Sequence, residues 1–387
     1  LNSKEEVRER RGMDLDQERI TPAKLFSRAE RKKDKCRYRE AIEDYRAALS
    51  LFGKEGNRRG RISCHMGLGD CMRMIGRYGA AAMYYQRAIE LAREEGLEEK
   101  EIDATVGLGM SLRAVGRYEE AISLFDDAIS RYRARGDRHG LAFALWAKGG
   151  ALRLLARFDE AVKTFRSSYK LFRSEGDKIG AAYCLCGLGG TSRTIGNYED
   201  SLSYYTRANR LFSLLRDRFG LAYSFCGIGN ARRMLGDHDE ALSFFGKAKG
   251  IYEEIGDRVS YAYTIWGEAT SLKMVGKLED ALAGYKRSRE LFKETKDFRG
   301  LIYAYLGEGE VYFLIGDYRK WGSRVGIALA MSARRGFKLE RLHSLLLKGI
   351  CSRVAGKEGE EVEEALKGYK ELGVSFPQEP ALPLNLP

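Results

Sequence analysis

The sequence predicts an all-α solenoid. Two observations point to it. Segments 40 residues apart superimpose without an insertion from about residue 21 to residue 356, and no proline occurs between Ala23 and Phe376. The five prolines are Pro22, Pro377, Pro380, Pro383 and Pro387. Proline costs about 3 kcal/mol inside a helix, so a stretch of that length without one is open to helices throughout. A unit of this size buries its apolar faces only by stacking on its neighbours, and stacked units form a solenoid.

The elements follow in chain order. Residues 1–20 (LNSKEEVRERRGMDLDQERI) are densely charged and read as an N-terminal arm or cap; they lack the apolar core of a signal peptide. Each later unit divides into two helices. In the first, apolar residues such as Leu141, Leu145, Leu152 and Leu155 recur at spacings of three, four and seven. A turn residue ends it at Gly76, Gly116, Gly196, Gly236, Gly276, Gly316 and Gly356, with Cys36 and Ala156 interrupting the column. Glycine there supplies the left-handed residue that terminates a helix. Acidic pairs (Glu119–Glu120, Asp159–Glu160, Glu199–Asp200) open the second helix, where negative charge suits the dipole. Its buried stripe reads Ala121, Ile122, Phe125, Ala128. Asp137, Asp177, Asp217, Asp257 and Asp297 stand where the next first helix starts, as N-caps. Eight units of 40 residues fill 21–338, a partial ninth unit and closing helix fill 339–372, and 373–387 is an extended, proline-rich tail.

Several columns repeat together, and in the third unit they read Leu108, Gly109, Gly116, Tyr118, Glu119, Glu120, Ala121, Phe125, Ala128. This pattern resembles the tetratricopeptide repeat. Two features set the chain apart from the common form: its period exceeds the usual ~34 residues, and the closing proline is missing. The longer form is similar to repeats of kinesin light chains, LGN/Pins adaptors and Rap-type peptide receptors. The resemblance implies a right-handed α-solenoid of about nine helix-turn-helix units, with first helices on the concave surface and second helices on the convex one.

Columns of the first helix then give the chemistry of the groove. One contains Phe143, Tyr183, Tyr223, Tyr263 and Tyr303; three residues on, another contains Trp146, Cys186, Cys226 and Trp266. A third is small: Gly67, Gly107, Ala147, Gly187, Gly227, Gly267 and Gly307. A fourth is basic: Arg73, Arg113, Arg153, Arg193, Arg233 and Lys273. Spacings of three, four and seven place all four on one face. The basic column reads either as ion pairs to neighbouring helices or as a row of guanidiniums for carboxylates, phosphates or peptide carbonyls. Arg113 has no acid three or four residues upstream, where Met110 and Gly109 stand, so its own helix offers it no ion pair on that side. The glycines read either as close packing or as a bare floor for a ligand backbone. The rings read as packing between units or as anchors for a bound segment.

Other function classes receive no support from the residues. Hydrophobic residues make up 44% and charged residues 32%, as in a folded chain, and no apolar run approaches the ~18 residues of a membrane span. Seven cysteines, without zinc spacing, read as reduced thiols and a cytoplasmic location. His65, His139, His238 and His343 stand in different units, so no catalytic constellation, metal site or cofactor is expected. The expected function is a non-enzymatic scaffold whose concave Arg/Tyr-lined groove holds an extended, partly acidic segment of a partner protein. The net charge of +12 also suits single-stranded nucleic acid or another polyanion, although Asp70, Asp103, Glu268, Glu308 and Glu310 bring acid into the same trough. A third reading is a sensor of a small ligand or effector peptide, centred on Trp146 and Trp266.

Overall fold

A computed structural model describes residues 21–377 and 379–387; the charged arm expected at 1–20 lies outside them. Eighteen α-helices and no strand occur among the described residues. They pair as first and second helices, from Pro22–Asp34 with Tyr38–Lys54 to Lys338–Val354 with Glu361–Glu371. Counted this way there are nine pairs, called units 1 to 9 below, and each helix packs against the next. The chain is an all-α solenoid.

Local chemistry explains the regularity. The carboxylates of Asp137, Asp177, Asp217 and Asp297 each accept the backbone N–H three residues on, at 2.8–2.9 Å, and Asp257 accepts two such groups. These are N-caps, which satisfy donors that the first turn leaves free. Between the helices of a unit, the chain turns through a left-handed residue: φ is +77° at Gly76 and +90° at Gly236. Cys36 and Ala156, the two interruptions of the column, adopt the same conformation at +58° and +61°. Stacking of the unit therefore holds the turn even where glycine is absent.

The small column has a packing role. A Cβ on Gly227 would lie 2.2 Å from the Tyr205 ring, and one on Gly107 would lie 2.3 Å from Tyr85. In each case the ring comes from the second helix of the preceding unit, so the space beside the glycine holds a side chain of the protein itself. Tyr45, Tyr85, Phe125, Phe165, Tyr205, Phe245 and Tyr285 are all buried. A helix that gives up ~1 kcal/mol by using glycine thereby gains a buried aromatic ring.

The solenoid also coils back on itself. Cys36, in the turn of unit 1, packs with Tyr252 and Ile255 of unit 6. Gly76 of unit 2 lies against Val259 and Thr295 of unit 7. Tyr118 of unit 3 meets Phe337 at a ring separation of 5.9 Å, and Phe158 of unit 4 belongs to the same buried cluster as Leu346 and Val374. The Ser375 amide donates to the Ile195 carbonyl at 3.1 Å. Turns of the early units thus seat on units about five places later. Contacts of that sequence separation turn an open spiral into a walled one.

Candidate functional site

The inner wall of the coil borders a partly open cavity of about 400 Å³. Its wall is built mainly from first helices, because each successive unit presents the same phase of its first helix inward. Of the residues expected in the groove, Arg113, Arg153, Arg193, Tyr223, Cys226, Tyr263, Trp266 and Tyr303 line this cavity. Phe143, Trp146, Tyr183, Cys186, Arg73, Arg233 and Lys273 occupy the same columns of the first helices but do not line it.

The rings are extensively packed. Phe143 stacks on Trp146 at 5.6 Å and remains 37% exposed. The Trp146 indole N–H donates to the Tyr183 carbonyl at 3.3 Å, and the Trp266 indole N–H donates to that of Tyr303 at 3.1 Å. The Tyr183 hydroxyl donates to Asp217 at 3.2 Å. Trp266 and Tyr303 are each 8% exposed, and Cys186 is buried. Burial raises the thiols of Cys186 and Cys226, so both are held as neutral S–H groups. Among the described residues no group of three or more His, Cys, Asp or Glu side chains is placed to hold a metal ion.

The basic column divides into two kinds of station. At its C-terminal end, Lys273 and Glu310 form a buried ion pair, 3% and 2% exposed. Burial lowers the Lys273 pKa, and the adjacent carboxylate counteracts that shift. Glu310 stands 37 residues after Lys273, in the first helix of the next unit. Subtracting whole periods places Gly190 opposite Arg153 and Gly150 opposite Arg113, with Asn230 opposite Arg193. No carboxylate stands at these positions. Arg113 is held by the Ala147 carbonyl at 3.2 Å and lies over the Trp146 ring, while Nε and Nη1 of Arg193 are buried without a hydrogen-bond partner. Burial, together with the charges of Arg73 and Arg153, pushes Arg113 down to about 10. It remains charged at neutral pH.

The tail residues 384–386 lie along this inner wall. The Leu384 carbonyl accepts from Lys273 Nζ at 2.6 Å, and its amide donates to Glu310. The Asn385 side chain accepts from Arg233 and donates to the Arg233 carbonyl at 2.7 Å. Leu384 and Leu386 are 2% and 5% exposed, and Pro387 reaches the cavity. Arg233 itself is fully buried and lies over Trp266 at 5.2 Å; burial and the charge of Arg193 lower it to about 9.

Sequence reasoning does not select Asn230, Asp297, Arg299, Phe337 or the tail residues for the site. Asp297 and Arg299 sit at the start of a first helix, where the cap explanation is sufficient. A signal for the tail is present: Leu382, Leu384 and Leu386 alternate with the period of an extended strand with one apolar side.

The family model described as Tetratricopeptide repeat matches residues 28–94, 101–174 and 178–254, more than half of the chain. No curated protein matches the sequence. Among solved structures, the Rap conjugation gene regulator of plasmid pLS20, in complex with the Phr* peptide, is similar with a TM-score of 0.63 and 15% identity. That match covers 82% of this chain and 97% of the other. A Rap protein complexed with Competence and Sporulation Factor matches with a TM-score of 0.61 and 13% identity, covering 80% and 87%. Aspartyl phosphate phosphatase F from Bacillus subtilis matches at 0.53 and 11% identity, covering 93% and 97%. Identities this low speak to the fold alone.

Proposed function

The chain belongs to the tetratricopeptide repeat family, and on that premise we propose that it is a non-enzymatic scaffold whose inner wall holds an extended segment of a partner protein. One observation carries this reading. The wall already accommodates an extended segment, residues 384–386 of the chain itself, and engages it through Lys273, Glu310 and Arg233. Main-chain recognition of that kind tolerates varied sequences, while pockets for alternate side chains supply selectivity. Two similar structures are complexes, one with the Phr* peptide and one with Competence and Sporulation Factor, which is consistent with the same use of the fold.

A partner segment with acidic side chains would complement the guanidiniums that line the wall. The cavity, about 400 Å³, suits a folded-back segment or a compact ligand better than a nucleic-acid strand. The proposed setting is cytoplasmic, in keeping with free cysteines throughout the described residues.

The test is affinity capture from the native cell, followed by titration of the captured partner's segment. Arg153→Glu combined with Arg193→Glu should weaken that segment at least tenfold. Equal affinity for the double variant and the wild type would overturn the reading.

A further inference from the structure

We propose that Arg113, Arg153 and Arg193 form an anion site within the cavity, which takes a small ligand carrying a multiply charged oxyanion. This goes beyond the scaffold reading and stands without it: an acidic segment and the small ligand would compete for the same arginines, and the probes below are titrated with no segment present.

Arginine is rarely buried without a counter-charge, because removing it from water is costly unless hydrogen bonds and opposite charge compensate. The chain follows that rule for Lys273, which meets Glu310 of the next unit, whereas the fully buried Arg233 is covered by Asn385 and the Trp266 ring instead of a carboxylate. Arg299, another cavity residue, also pairs with Glu340. Arg113, Arg153 and Arg193, each partly buried, have no such ion-pair partner among the described residues. At the position equivalent to Glu310 they face Gly150, Gly190 and Asn230. Gly150 leaves space that a guanidinium enters, since a Cβ there would stand 2.3 Å from Nη1 of Arg113; at Gly190 the nearest atom to such a Cβ is the Tyr205 hydroxyl at 3.1 Å, with Nη1 of Arg153 in ordinary contact at 3.7 Å.

The three come from first helices of units 3, 4 and 5, so they form a row across one wall. Like charges in such a row repel; Arg113 is disfavoured by Arg73 and Arg153 on either side. Side-chain acid in the cavity does not relieve them. Asp297 lines it, but its carboxylate accepts from the Gly300 amide at 2.9 Å, and burial raises its pKa. Buried nitrogens of Arg193 remain without a partner. A row of forked donors along a partly open cavity, with no carboxylate side chain opposite them, is complementary to oxyanions whose charge is spread over several oxygens. Tyr223 and Tyr263 on the same cavity wall would flank the body of the ligand.

Phosphate and carboxylate groups share this chemistry, and two probes separate them. Full-length protein is titrated with pyrophosphate and with citrate at constant ionic strength, by calorimetry and by thermal melting. At least one should bind saturably and raise the melting temperature by several degrees; the tighter of the two identifies the source of the charge. Arg153→Gln should weaken that binding at least tenfold. The unliganded variant should melt at or above the wild type, because a repulsion has been removed. Circular dichroism verifies that it is helical; if it does not fold, Arg113→Gln carries the same expectation. The proposal is overturned if neither probe binds saturably, or if the folded variant binds as tightly as the wild type.

Discussion

Two stretches of the same wall solve the same electrostatic problem differently. In units 7 and 8, a buried cation meets a carboxylate from the next unit, and the tail covers both. In units 3 to 5, the equivalent cations meet glycine or asparagine and open into a cavity. The backbone is the same at both stations, since both are first helices of the same length in the same phase. What differs is the cation, lysine at 273 and arginine at 113, 153 and 193, and the side chain 37 residues downstream of it. A repeat fold can therefore specify a site by omission: deleting one acid from a periodic pattern leaves charge available for something else.

The most severe challenge to this contrast is to remove the acid where it is present. Glu310→Ala strands Lys273 in a buried position and releases the Leu384 amide. Breaking a buried ion pair on one side typically costs ~3–5 kcal/mol. Urea unfolding should show a loss of that order, whereas a loss below about 1 kcal/mol would show that Lys273 needs no partner and that the central arginines are unexceptional.

Acid provides a second, somewhat smaller test. His343 of unit 9 is fully buried beside Tyr303 and Tyr369, and burial lowers it to about 3; His65 of unit 2 is lowered to about 4. Both are neutral when folded and take up a proton more readily when unfolded. Their contribution to stability is therefore complete above the ordinary histidine range, near ~6.5, and is lost as pH falls toward their folded values. Stability should decline by a few kcal/mol between about pH 7 and pH 4. His343→Phe should flatten that decline in part. An unchanged pH profile would show that the histidine is not the group being titrated.

A graft addresses the contrast directly. Gly190→Glu places at unit 5 the acid that unit 8 already has. It replaces a helical glycine and neutralises Arg153, which would add ~1 kcal/mol of stability once the Tyr205 hydroxyl, 3.1 Å from where the new Cβ stands, has given way. Binding of an anion should be lost in the same variant. A variant that gains stability yet still binds pyrophosphate or citrate like the wild type would separate the glycine column from the anion site.

The smallest effect concerns the tail. Asn385→Ala removes its hydrogen bonds to the Arg233 side chain and carbonyl, with an expected net cost of ~1–2 kcal/mol. The loss should appear as faster amide exchange at residues 384–386, with helices of units 3 to 5 unaffected. Exchange that accelerates throughout the solenoid would mean that the tail clamps the coil as a whole.

Much of the architecture could be read directly from residues. The caps at Asp137, Asp177, Asp217, Asp257 and Asp297, the turn column and the inward face of the first helix all depend on neighbours within one unit or the next. Residues a few positions apart decide those features, so a period in the sequence becomes a period in space. The interruptions are instructive: Cys36 and Ala156 take the left-handed turn although their residue types do not favour it. There the repeat pattern was a better guide than the individual residue.

The order of residues was enough to establish a helical stack and to say which side chains share its inner phase. It was the packed chain that closed the stack, so that Tyr118 meets Phe337 and Ser375 meets Ile195, and that laid the tail against Lys273 and Arg233. The reason is geometric. Closure depends on a small rotation at every interface accumulated over about five units, and no local pattern records such a sum. Whether an inward arginine is paired, covered or left facing a cavity follows only once the far side of the coil has arrived.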